Sequence, residues 1–138
     1  MANLRFNRLS DIDFSRKATV TVGHNRTVTK VADIHADIYS FRLHGHEVAR
    51  LLVEHGGARS MLTLKHCGYM TRTTGAAIKD AISLFGFWGN VSFAGGEFRA
   101  GVQHRYEGDA LEWCPLYANS GFDFEFGDAV QPLRVTAF

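Results

Sequence analysis

His66 and Cys67 stand side by side, and Arg72-Thr73-Thr74-Gly75 follows shortly after, at the start of a stretch with helical spacing. A cysteine beside a histidine raises nucleophilic chemistry, because a thiolate made by an imidazole base is an attacking group. Such a thiol needs a lowered pKa, and Cys67 lies several residues ahead of the helix start whose positive end would supply it. If the strand before it runs that far, His66 points to the opposite face, since neighbouring strand residues alternate. Any of the other six histidines could still approach the thiol in space. Cys67 reads as a buried, unreactive side chain, and no catalytic residue is assigned. Arg72, Thr73 and Thr74, with Lys79 further along the same helix, carry the parts of an anion site: helix-start amides, two hydroxyls, two cations and a glycine that permits close approach. Capping explains the two threonines equally well, and no phosphate-loop or dinucleotide-binding glycine pattern accompanies them. Both readings stay open.

Leu43-His44-Gly45-His46-Glu47 invites a metal reading, because His-x-His places two rings on one side of a strand and Glu47 adds a carboxylate. Gly45 breaks the strand between them, and no set of four ligands is spaced for structural zinc. Exposed turn histidines are expected, with no metal and no cofactor. Tyr69, Trp88 and Trp113 are the aromatic candidates for anchoring a partner protein or stacking bases.

These residues need a scaffold, and composition bounds it. A chain of 138 residues with 46% hydrophobic residues and 11 phenylalanines is large enough for one core without staples. One domain, 1–138, is expected. No run of about 18 apolar residues occurs, and charges stand where an N-terminal leader would carry its apolar stretch, so a soluble cytoplasmic protein with no membrane association is expected. Two cysteines, Cys67 and Cys114, fall short of a secreted disulfide framework. The net charge of +1 hides an asymmetry: residues 1–106 hold 14 Lys and Arg against 8 Asp and Glu, while residues 107–128 hold six acids and neither Lys nor Arg. The basic residues are scattered rather than gathered in a stripe, which weighs against a dedicated nucleic-acid binder. A basic body also excludes an acidic mimic of DNA.

Period-two alternation predicts strands over 18–22, 26–30, 38–43 and 60–65, with 46–53 read as a hairpin strand because only eight residues separate two glycine-bearing breaks. The helix is predicted over about 73–86. Thr73 or Thr74 serves as N-cap, Ile78, Ala81, Ile82 and Phe85 form the buried stripe, and Gly86 is the C-terminal stop. Val91–Ala94 and Glu97–Val102 flank Gly95-Gly96 as a hairpin, with Phe93, Phe98, Ala100 and Val102 as core candidates. Phe122, Phe124 and Phe126 alternate with acids and predict one more strand in an otherwise irregular, acidic segment over 106–138. The fold class is α+β: an antiparallel β-meander packed against one main helix, with a further hairpin and an irregular C-terminal segment.

HNRTVTKV at 24–31, FRLHGHEVARL at 41–51 and LTLKHCGYMTRTTGAAIKDAI at 62–82 resemble a family of small uncharacterised bacteriophage proteins. Its members run His-Asn-Thr-Thr, a strand, Leu-His-Gly-x-x-Ile, a hairpin, and then a Gly-aromatic-x-Thr-x-Thr-Thr turn into a helix. The resemblance covers residues 20–100, and Cys67-Gly68-Tyr69 through Thr74 is its most specific part. It implies a phage origin and action inside an infected bacterium, and no particular activity. Gly75-Ala76-Ala77 departs from the family, which carries Lys or Arg there, and the 106–138 segment matches no family ending. Two function classes follow. The first is a non-enzymatic protein that binds a host protein or complex, for instance an inhibitor of an antiviral defence system. The second is a binder of nucleic acid or a small phosphorylated ligand through the turn at 72–79.

Overall fold

In the computed structural model, which describes residues 4–55, 60–94, 97–104, 112–115 and 122–126, each predicted alternation becomes a paired strand. An antiparallel meander runs through β1 (Thr19–Gly23), β2 (Arg26–Ala32), β3 (Ala36–Leu43), β4 (His46–Glu54) and β5 (Ser60–Leu64). The 46–53 segment is thus a strand. His44 (φ +52) and Gly45 (φ +82) join β3 to β4, both in the left-handed region that a two-residue hairpin with a mirror-image turn requires. Beyond β5 the sheet gains β9 (Phe122–Phe126), with Phe124 standing opposite Leu62. A second sheet holds β6 (Phe87–Ala94), β7 (Glu97–His104) and β8 (Glu112–Pro115). The sequence reading of 106–138 overlooked β8, a four-residue strand that ends on a proline and so carries little alternation to recognise.

Register decides which side chains meet. Val28, Phe41, Ala49 and Leu64 lie across neighbouring strands in one row, with Tyr39, Leu51 and Leu62 in the next, and all are buried on the face that carries the helix. Between Phe41 and Arg42 the β3–β4 register shifts by a bulge, so Val48 adds to the core while Glu47 joins Ser40 and Arg50 on the other face. There the Ser40 hydroxyl donates to Glu47, and Arg50 Nη2 lies 2.8 Å from its second oxygen. Burial works to raise the Glu47 pKa, but Ser40, Arg50 and Lys65 together outweigh it and hold the carboxyl below its ordinary range.

The helix α1 (Arg72–Leu84) is buried over more than the predicted stripe: Thr74, Ala77, Ile78, Asp80, Ala81, Ile82 and Leu84 are all covered. The meander covers one side and β6 runs back along the other, so the helix is held between two layers. Gly89 of β6 makes that approach possible. A Cβ there would lie 2.7 Å from the Gly101 carbonyl oxygen and 2.8 Å from Ile82 Cγ2. Phe85 caps the C-terminus and Gly86 follows at φ +94, as the stop signal predicts.

The N-cap corrects the sequence reading. Thr71, in extended conformation, accepts a hydrogen bond from the Thr74 amide through its side chain, and Thr73 and Thr74 lie inside the first turn. Three hydroxyl residues in four positions made the cap ambiguous by type, and the backbone turn at Cys67-Gly68 sets it at the first. Thr71→Ala is therefore expected to cost about 0.5–2 kcal/mol, and Thr73→Ala to stay within about 0.5 kcal/mol of wild type, as read from urea denaturation.

Phe93 is a second correction. Phe98, Ala100 and Val102 enter the core as expected, but Phe93 is 55% exposed. It pairs with Phe98 across the hairpin, their rings 5.9 Å apart and edge to face. Alternation assigns Phe93 to the correct face, but the covering layer stops short of it. No helix among the described residues is long and apolar enough to cross a membrane.

Candidate functional site

After β5 the backbone turns sharply. Cys67 (φ +55) and Gly68 (φ +84) both take the left-handed conformation, and the turn is pinned from three sides. The Gly68 amide donates to His66 Nδ1 at 3.0 Å, the Tyr69 amide to the His66 carbonyl at 2.9 Å, and the Cys67 thiol to the Glu47 carbonyl at 3.0 Å. Cys67 is half-buried rather than buried, and desolvation pushes its thiol pKa up, with Lys65 pulling the other way. A thiol so held is protonated at neutral pH, opposite to what a nucleophile needs. His66 is buried, its ring stacked on Phe98 at 5.9 Å.

The same turn throws Tyr69 and Met70 outward, 51% and 47% exposed. Met70 and Thr71 form one end of a cleft of ≈ 450 Å³ between α1 and the β6–β7 hairpin. Arg72, Ala76 and Lys79 make its helical wall, Asn90, Ser92 and Phe93 the opposite wall, and Val91 and Phe98 the floor. The floor is deep at Gly75, where a Cβ would come within 3.2 Å of the Phe98 ring. Both charged residues of the cleft are cations, and neither has a carboxylate partner among the described residues.

The predicted anion residues are thus divided. Arg72 and Lys79 share the cleft. Thr73 is exposed and lines neither wall, while Thr74 is buried, has its hydroxyl 3.2 Å from that of Thr71, and lines a different cavity. That second cavity, of ≈ 210 Å³, lies on the other side of the turn, against the β3–β4 hairpin. Tyr69 stands at its mouth, its ring 5.1 Å from that of His46. Trp88 and Trp113 belong to β6 and β8, and their side chains lie outside the described residues. His44 and His46 are exposed at their hairpin, and among the described residues no group of three His, Cys, Asp or Glu is placed to hold a metal ion.

A more open depression of ≈ 560 Å³ follows residues 12–18 and carries Arg16, Lys17 and Lys30. It is the weaker candidate. Asp13 opposes the cations, and Lys30 already sits over the Tyr39 ring at 5.7 Å. Met70 and Phe93 are the cleft residues that sequence reasoning missed. The available signal was that both flank the turn and the hairpin that bound the helix. Comparison with protein-family models, with curated proteins and with solved structures returns no match to this chain.

Proposed function

We propose that this is a phage-encoded, non-enzymatic protein that binds a host macromolecule in the cytoplasm of the infected bacterium, and that it inhibits a component of host antiviral defence by occlusion. One observation carries the binding part of this reading: exposed Met70 and Phe93 frame a cleft whose only charged residues are Arg72 and Lys79. Solvent-exposed apolar anchors beside unpaired cations are the makings of an interface centre with an electrostatic preference. The complementary surface is an acidic one on a host protein. The resemblance to phage proteins supplies the setting, and the left-handed turn at Cys67-Gly68 serves as scaffold for the cleft.

A second reading rests on the same cleft. An exposed phenylalanine ring next to two cations also fits a base stacked on Phe93 with phosphate held by Arg72 and Lys79, in a single-stranded nucleic acid or a phosphorylated small molecule. The test is affinity capture from host lysate with wild type, Phe93→Ala and Arg72→Glu/Lys79→Glu. The expected result is a host protein retained by wild type after nuclease treatment and lost by both variants. Retention by the variants removes the cleft from the interaction. Loss on nuclease treatment, with binding that falls steeply as salt rises, selects the nucleic-acid reading instead.

A further inference from the structure

The second cavity is built differently from the cleft, and its chemistry is independent of the partner proposed above. Leu43 and Val48 form its buried apolar base, and none of its lining residues is Lys, Arg, Asp or Glu. His66 supplies its best-defined polar atom. Because Nδ1 accepts the Gly68 amide, Nδ1 bears the lone pair and the ring proton sits on Nε2. The ring is held in place by its stack on Phe98 and is only 7% exposed. No acceptor among the described residues meets Nε2, which leaves a fixed N–H donor on the wall of an otherwise apolar cavity. A donor left without a partner is costly, and an acceptor brought by a ligand recovers that cost.

Size and shape narrow the ligand further. A dry cavity of about 150 Å³ holds benzene, and sites for drug-sized molecules begin at about 300 Å³, so ≈ 210 Å³ corresponds to one ring with a small substituent. At the mouth the His46 and Tyr69 rings, 46° apart in tilt, offer aromatic faces and edges to that ring. The absence of fixed charge in the lining selects against a charged molecule, which would be desolvated without compensation. We infer that this cavity binds a small, uncharged, single-ring aromatic molecule that accepts a hydrogen bond from His66 Nε2.

The test is a titration of the ¹⁵N-labelled full chain with three probes, followed by amide shifts. Benzamide has ring and acceptor, toluene the ring alone, and cyclohexanecarboxamide the acceptor without an aromatic ring. Benzamide is expected to give saturable shifts at the His46, Gly68 and Tyr69 amides and to bind about tenfold more tightly than toluene, the value of one hydrogen bond of about 1.4 kcal/mol. In His66→Phe, which keeps a ring against Phe98 but lacks the donor, that tenfold preference should vanish. The ratio of the two probes cancels any general loosening of the site. Val48→Phe, which fills the base, should abolish all binding, and the probe ratio decides the matter even if that variant does not fold. The inference is overturned if benzamide gives no saturable shift at these amides, if toluene binds wild type as well as benzamide does, if cyclohexanecarboxamide matches benzamide, or if His66→Phe retains the preference.

Discussion

Asp80→Ala is expected to lower stability by about 3–5 kcal/mol, because it strands a buried guanidinium. Asp80 on α1 and Arg26 on β2 are 9% and 5% exposed, with Arg26 Nε 3.1 Å from Asp80 Oδ2. Those two buried atoms nevertheless miss hydrogen-bond geometry, so the attraction lacks the directed bond that would offset two desolvations. Burial accordingly pushes the Asp80 carboxyl above its ordinary range, against the pull of Arg26. The same argument predicts that Arg26→Met/Asp80→Leu stays near wild type or exceeds it by about 1–4 kcal/mol. A urea-denaturation double-mutant cycle measures all three. If Asp80→Ala were neutral, Arg26 would have to be solvated. The sign with pH follows from the raised pKa. The folded state keeps a proton that the unfolded chain has released, so the contribution of Asp80 is fullest below about pH 3.9 and is lost as pH rises through the raised value. Asp80→Asn removes that fall, which comparison of urea midpoints on either side of the window reads directly.

Ile82→Ala is the other large loss, expected at about 2–5 kcal/mol. Ile82 is 1% exposed and sits where α1 meets β6 beside Gly89. Truncation leaves a cavity between two layers that are each fixed by their own hydrogen bonds, so collapse around it is limited. The opposite change at the same contact, Gly89→Ala, should cost about 1–3 kcal/mol by overpacking. Because Ile82→Ala opens space where the new Cβ would go, the double variant is expected to recover part of the loss relative to the sum of the two. Thermal midpoints of the four proteins give the coupling. An unchanged midpoint in Ile82→Ala would place the helix face in solvent.

The meander, the 87–104 hairpin and the helix were legible because each is written in local pattern: β-branched alternation in Thr19–Ala32, the 78/81/82/85 stripe, the Gly-Gly turn. What was not legible depends on chain far away. Nothing near Asp80 announces that Arg26 will meet it, and a carboxylate in a helix reads as solvent-facing until the second layer is known. Phe93 shows the same limit from the other side, since alternation gives a face but not the extent of what covers it. In the candidate site, Arg72 and Lys79 were found together because seven residues bring two side chains to one side of a helix. Thr73 and Thr74 were joined to them by proximity in sequence, and a rotation of about 100° per residue separates them. His66 was dismissed together with Cys67, although its hydrogen bond to Gly68 and its stack on Phe98 give it a role independent of the thiol.

The pairing of β5 with β9 carries a kinetic consequence. Within the meander, β1 to β2 and β3 to β4 close across two residues each, whereas joining Leu64 to Phe122 closes a loop of about 57 residues. On the logarithmic scaling of loop entropy that contact costs about 3 kcal/mol more to form from an open chain than either tight hairpin. The chain therefore assembles from its N-terminal half outward, and as it emerges from the ribosome the first five strands can pair before the last exists. Until β9 arrives, the outer edge of β5 presents its unpaired amides and carbonyls from Ser60 to Leu64, and it is in that interval that this protein is most exposed to strand-to-strand association with another copy of itself.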